Sequence, residues 1–148
     1  MSETPSPREV LLELLAGITE GRFTELARLY AEDAVVETVF APVEPRVFEG
    51  RAVIAERFAQ VGAHMPLELR AKNVVVRETD DPEVIVAQFD YQAHHRHTGR
   101  DFEVANVLVL RVRDGLIVDS RDYHDHLALA VAGDGLPELV AALQGGGA

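Results

Sequence analysis

No cysteine occurs in the 148 residues. That excludes disulfides, thiolate-bound zinc and thiol nucleophiles, and nothing asks for an oxidising compartment. Positive charge is scarce and scattered: 14 Lys and Arg stand against 25 Asp and Glu, for a formal net charge of −11. Nucleic acids and anionic membrane surfaces are bound through clustered cations, so neither is expected as a partner. Long apolar runs are missing too. The stretch from Val10 to Ile18 is interrupted by Glu13 and has no basic leader. Neither a secretory signal nor a membrane span is expected, and a cytoplasmic location is the default.

What is there is 47% hydrophobic, enough to bury a real core in one domain, with flexible termini expected. The organising stretch runs from Asp114 to His126. Asp114-Gly115 between β-branched runs is a strong hairpin signal, because Gly accepts the positive φ of the tight turn. Strict alternation then puts Leu116, Val118, Ser120, Asp122 and His124 on one strand face. Ile117, Asp119, Arg121, Tyr123 and Asp125 fall on the other. A face that begins apolar and ends in a carboxylate and an imidazole runs from core into a polar site. Asp122 and His124 are therefore candidate acid/base residues, the imidazole being a base near neutral pH that a carboxylate can orient.

The rest of the chain surrounds that strand. Ser2 to Ser6 read as disordered, and Pro7 suits a first helical turn. Leu11, Leu14, Leu15 and Ile18 have helical spacing, with Gly21 as a stop. A second helix carries Phe23, Leu26, Ala27 and Tyr30 and ends near Ala31. Ala34 to Phe40 is β-branched, and a loop with Pro42 and Pro45 closes it. Gly50-Arg51 opens a third helix with Val53, Ile54, Phe58 and Val61 as its apolar side. The segments Leu67–Glu78, Val84–Arg96, Phe102–Arg113 and Leu116–His126 are separated by turn residues and read as an antiparallel meander. A short helix over Leu136 to Leu143 precedes a tail, Gln144 to Ala148, expected to fray. The architecture expected is α+β: a cone-shaped roll in which three N-terminal helices pack on a curved antiparallel sheet and enclose a pocket. Val107 and Val109 point away from Leu108 and Leu110, so the outer sheet face is apolar as well and is the expected surface of a homodimer.

The order helix, helix, Leu29-Tyr30-Ala31-Glu32-Asp33-Ala34, Gly50-Arg51, four strands and Asp114-Gly115 resembles the SnoaL-like, ketosteroid isomerase-like branch of the nuclear-transport-factor-like superfamily. Arg121-Asp122-Tyr123-His124-Asp125 is similar to the last strand of limonene epoxide hydrolase. The resemblance covers a core of about residues 8–128 and implies the cone fold, a cystatin-like α+β barrel; the reaction has to be read from the site. The isomerase's general base corresponds to Thr38, and its two oxyanion-binding residues to Leu14 and Leu108. The isomerase site is thus not carried over. From the epoxide hydrolase, the two catalytic carboxylates correspond to Asp122 and Asp90, and the Arg between them to Gln88. The residues that hold the attacking water correspond to Val36 and Thr38. This mapping implies that Gln88, Asp90 and Gln92 face Asn106 and Asp122 across one pocket. There Gln88 and Gln92 would hold substrate, Asn106, a lone amide in an apolar strand that needs partners, would bond substrate or Asp122, and Tyr30, Phe58, Met65, Leu67 and Leu108 would form walls. Two carboxylates in one apolar site disfavour double ionisation, which keeps one available as an acid. His94, His95 and His97, with His124 or His126, are a conceivable metal set, but they flank the Thr98-Gly99 turn; no metal and no cofactor is expected.

The expected function is cofactor-independent acid/base chemistry (isomerase, lyase, cyclase or epoxide-opening) on a small apolar metabolite such as a polyketide or terpenoid intermediate. Asp122 is the principal group, with Asp90 and His124 as partners. The alternatives are a ligand-binding protein without turnover and an epoxide hydrolase with an altered water site.

Overall fold

The computed structural model describes residues 3–145. Its order is α1 (Pro7–Thr19), a 3-10 segment (Phe23–Leu29), β1 (Tyr30–Thr38), β2 (Val47–Glu49), α2 (Arg51–His64), β3 (Leu67–Glu78), β4 (Val84–His95), β5 (Asp101–Arg113), β6 (Leu116–His124), α3 (His126–Ala132) and α4 (Leu136–Gly145). The six strands form one sheet in the order β2-β1-β6-β5-β4-β3. This is the expected α+β architecture, with two differences. The sheet is open, with β2 and β3 at its edges, and it is mixed, because β1 runs parallel to β6.

Ser6 is not a loose end. Its hydroxyl accepts from the Glu9 N–H while Glu9 accepts from the Ser6 N–H, a capping box that starts α1 at Pro7. Ser2 lies outside the described residues. Val10, Leu11, Leu14, Leu15 and Ile18 are the buried stripe of α1. The second helix is replaced by the 3-10 segment, whose Leu26 packs so close to α1 that a Cβ on Gly17 would stand 2.4 Å from its side chain. The strand then begins at Tyr30, earlier than the spacing predicts, and β2, not foreseen, pairs with it beyond the proline loop. In α2 only Ile54 is fully buried, with Phe58 and Val61 half-buried; Val53, on the adjacent position, faces solvent.

The meander is present with nearly the expected ends. Asp114 and Gly115 both have positive φ (53° and 78°), the conformation that a two-residue hairpin turn demands. Just beyond it β6 is irregular: Arg111 pairs with Asp119, but Val112 pairs with Ile117. The extra residue is a β-bulge, and it resets the alternation. Ile117 and Ser120 both point into the core, whereas an unbroken strand would place Ile117 opposite Ser120. Downstream, Ser120, Asp122 and His124 keep the expected common face.

The strand stops at His124. Asp125 caps α3, accepting from the Ala128 N–H at 3.0 Å. Arg121 pairs with Glu37 of the neighbouring β1 at 3.5 Å. α4 extends through Gln144 and Gly145, so that part of the tail is helical, and Gly146 to Ala148 lie outside the described residues. Among the described residues no helix is long and apolar enough to cross a membrane.

Candidate functional site

Strand register decides which side chains meet. On β5, Asn106, Leu108 and Leu110 sit directly opposite His124, Asp122 and Ser120 of β6. On β4, Phe89 faces Asn106 and Tyr91 faces Val104. All of these share the inner face, over which α1 and α2 close. Of these, Tyr91, Leu108, Ser120, Asp122 and His124 line a cavity of about 210 Å³, and Asn106 lies behind its wall. Leu14 and Ile18 of α1, Ile54, Phe58 and Val61 of α2, and Met65 make most of its wall apolar. Tyr30, Thr38, Arg57, Tyr91, Ser120, Asp122, His124 and His126 supply its polar groups.

Asp122 and His124 are held from both sides. The Ser120 hydroxyl, 1% exposed, donates to Asp122 Oδ1. Asn106 is 3% exposed, and its amide N–H donates to the Val104 carbonyl at 2.9 Å. A carbonyl can only accept, so this bond turns the side-chain oxygen of Asn106 toward His124, 2.7 Å from Nδ1. That oxygen also only accepts. Nδ1 must therefore carry a proton, and in the neutral ring Nε2 is the bare nitrogen.

Nε2 points at Asp122 Oδ2 across 3.8 Å, the two side chains being 17% and 18% exposed. The gap is too long for a hydrogen bond. With His124 neutral and Asp122 ionised, two acceptors face each other, and the arrangement is one proton short. A proton on either group, or a donor on a bound molecule, completes it.

The ring of His124 stacks on Tyr91 at 6.4 Å between centroids. Burial, and then the Asp122 charge, push the phenols of Tyr30 and Tyr91 well above their usual range. Both stay protonated, and both remain O–H donors. His126, packed edge-on to His124 at 5.8 Å, is held below the usual imidazole range, first by burial and then by the charges of His124 and Arg57. Its Nε2 is buried without a hydrogen-bond partner.

Three expected pocket residues are elsewhere. Ile85, Ala87, Phe89, Tyr91, Ala93 and His95 form the buried face of β4, so Gln88, Asp90 and Gln92 lie on its outer face. Asp90 accepts from Asn73 Nδ2 at 3.0 Å and does not meet Asp122. The mapping that paired them took β4 in the wrong phase. Asn106 reaches the site but spends its oxygen on His124 rather than on Asp122. Thr38 lines the cavity, with its hydroxyl donating to the Arg46 carbonyl at 3.1 Å. Tyr30, Phe58, Met65 and Leu108 do line it, whereas Leu67 is buried in the core beside it.

Tyr91 is a cavity residue the sequence reading does not single out, and His126, weighed there as a metal ligand alone, is another. The apolar alternation from Ile85 to Ala93 was the signal for Tyr91. The start of α3 at His126 had only the weak cue of Asp125. Among the described residues no group of three His, Asp or Glu side chains is placed to hold a metal. His95 is committed: Nδ1 accepts from the His97 and Thr98 N–H groups, and Nε2 meets Asp134 at 3.2 Å.

The sequence model of the SnoaL-like domain family matches residues 11–120. The uncharacterised protein YesE of Bacillus subtilis is 29% identical over 133 residues, covering 89% of this chain and 90% of that protein. Among solved structures, a Bacillus subtilis protein provisionally described as an isomerase superposes with a TM-score of 0.80 at 28% identity, over 91% of this chain and 97% of that one. A Xanthomonas campestris protein provisionally described as a polyketide cyclase superposes with a TM-score of 0.68 at 16% identity, over 82% and 91%.

Proposed function

The chain belongs to the SnoaL-like domain family, and on that premise we propose that it is a cofactor-independent acid/base enzyme of the isomerase, lyase or cyclase type, acting on a small, mostly apolar metabolite. The observation that carries the reading is the bare Nε2 of His124 facing the Asp122 carboxylate at 3.8 Å inside an apolar cavity. Such a pair has room for one proton between two groups, and can take it from, and return it to, a substrate carbon.

Asp122 is the principal acid/base. Its carboxylate removes a proton next to a substrate carbonyl, and the electron pair moves onto the carbonyl oxygen as an enolate. His124 takes up or returns the proton through Nε2. Return at another carbon isomerises the substrate; loss of a β-substituent makes the reaction a lyase; attack of the enolate on a second carbonyl closes a ring. Tyr30 or Tyr91, each a protonated phenol in the cavity wall, donates to the enolate oxygen, the role first assigned to Gln88 and Asn106. The provisional descriptions of two structural relatives, isomerase and polyketide cyclase, lie within these reaction classes. Epoxide opening by paired carboxylates has less support, because Asp90 is bonded to Asn73 on the other face.

We read the protein as a single cytoplasmic domain. The half-buried Val107 and Val109 of the outer sheet face would contact a second copy.

The test is exchange of α-protons into D2O from fused-ring ketones such as 2-tetralone, followed by NMR. Acceleration on the order of 10²-fold over an equal concentration of free imidazole is the expected result. Well-folded protein that binds such ketones without exchanging their protons would make it a ligand-binding member of the fold instead.

A further inference from the structure

The cavity has an outer annex. Thr38, Phe48, Arg57 and His126 line it and also line a surface groove of about 420 Å³, between residues 41–45, α2 and the α3–α4 turn. These four residues are the neck between an inner apolar chamber and an outer one. Among the described residues Arg57 is the only Lys or Arg along either chamber, in a chain whose net charge is −11.

That charge is uncommitted. Arg22, Arg28, Arg111 and Arg113 are each taken up by carboxylates. Among the described residues none lies within 4.0 Å of Arg57, whose guanidinium rests on the Phe48 ring, 5.5 Å from its centroid. The one carboxylate along the outer groove, Glu44, is neutralised by Arg46 at 3.4 Å. A guanidinium backed by an aromatic face and open at its N–H edge is a ready receptor for a planar carboxylate.

We propose that the substrate of this site is an amphiphilic acid, with its apolar body in the inner chamber and its carboxylate on Arg57 at the neck. The inference rests on the acid/base reading above and adds the substrate's charge and orientation. Anchoring the carboxylate at the neck sends the carbon skeleton inward toward Asp122 and His124. It also makes neutral compounds of the same shape the weaker ligands.

Calorimetric titration with 2-naphthoate and with its neutral counterpart 2-naphthamide, at low ionic strength, tests this. The wild-type protein should bind the naphthoate about tenfold more tightly, the gain of one charge-assisted contact. Arg57→Gln, an exposed helix position, should erase that preference and leave the naphthamide affinity within about twofold, whereas Arg57→Lys should keep part of it. Equal binding of the two compounds by the wild type, or a preference that survives in Arg57→Gln, overturns the Arg57 assignment and leaves the acid/base site standing. Failure of both compounds to bind overturns the assignment and the enclosed site together.

Discussion

Asp122→Asn should lower the rate of α-proton exchange by about 10²- to 10⁴-fold, the usual contribution of a positioned acid/base group. The substitution preserves shape. An amide oxygen still accepts from the Ser120 hydroxyl, so the bond that fixes the side chain from below survives. What changes is the other end. The carboxylate oxygen 3.8 Å from His124 Nε2 becomes an N–H donor, and a donor there ties up the bare nitrogen of His124. Both the proton acceptor and its partner are lost at once. The side chain is only partly buried, so thermal stability should stay within a few degrees of the wild type. If Asp122→Asn exchanged protons at the wild-type rate, the chemistry would lie elsewhere.

Asn106→Leu should be the second most damaging change, although Asn106 does not touch the cavity wall. Leucine fits the volume and the apolar strand, but it leaves the Nδ1–H of His124 without its acceptor at 2.7 Å. The uncompensated donor costs roughly 1–3 kcal/mol of stability. Freed of that partner, the ring can move its proton to Nε2 or rotate, and the rate should fall about 10- to 100-fold, as for other histidines that lose the group orienting them. The loss should appear in kcat with KM little changed, because no cavity contact is removed. Asn106→Asp keeps an acceptor against Nδ1–H and should retain more of the rate than Asn106→Leu. Equal rates for the two variants would mean that Asn106 serves packing alone.

Much of the fold could be read from the chain because its signals were local. The hairpin at Asp114-Gly115, the apolar stripe of α1 and the turn residues between the long segments each act within a few residues. The parallel pairing of β1 with β6 and the short β2 depend on contacts between distant segments, and no local pattern announces them. The β6 bulge is of the same kind: one extra residue between Ile117 and Asp119, invisible to a strict alternation, moves Ile117 into the core.

The site divides along the same line. Asp122 and His124 share a face in any strand reading, and their place downstream of the bulge preserves that. Gln88, Asp90 and Gln92 were placed by correspondence with another enzyme. The run Ile85, Ala87, Phe89, Tyr91, Ala93, apolar but for one phenol, already showed that the opposite set turns inward. Asn106 was legible as a lone amide in an apolar strand that needed partners, but only the cross-strand register names His124 as one of them.

The protonation of one imidazole tests the site most directly. Long-range proton–nitrogen NMR on the histidine-labelled protein, above the titration range of the six histidines, reports which ring nitrogen carries the hydrogen, and His124→Gln assigns the signal. Free histidine favours the hydrogen on Nε2. In this protein His124 should carry it on Nδ1, leaving Nε2 bare toward Asp122. A hydrogen found on Nε2 would contradict the proposed base and the role of Asn106 with it.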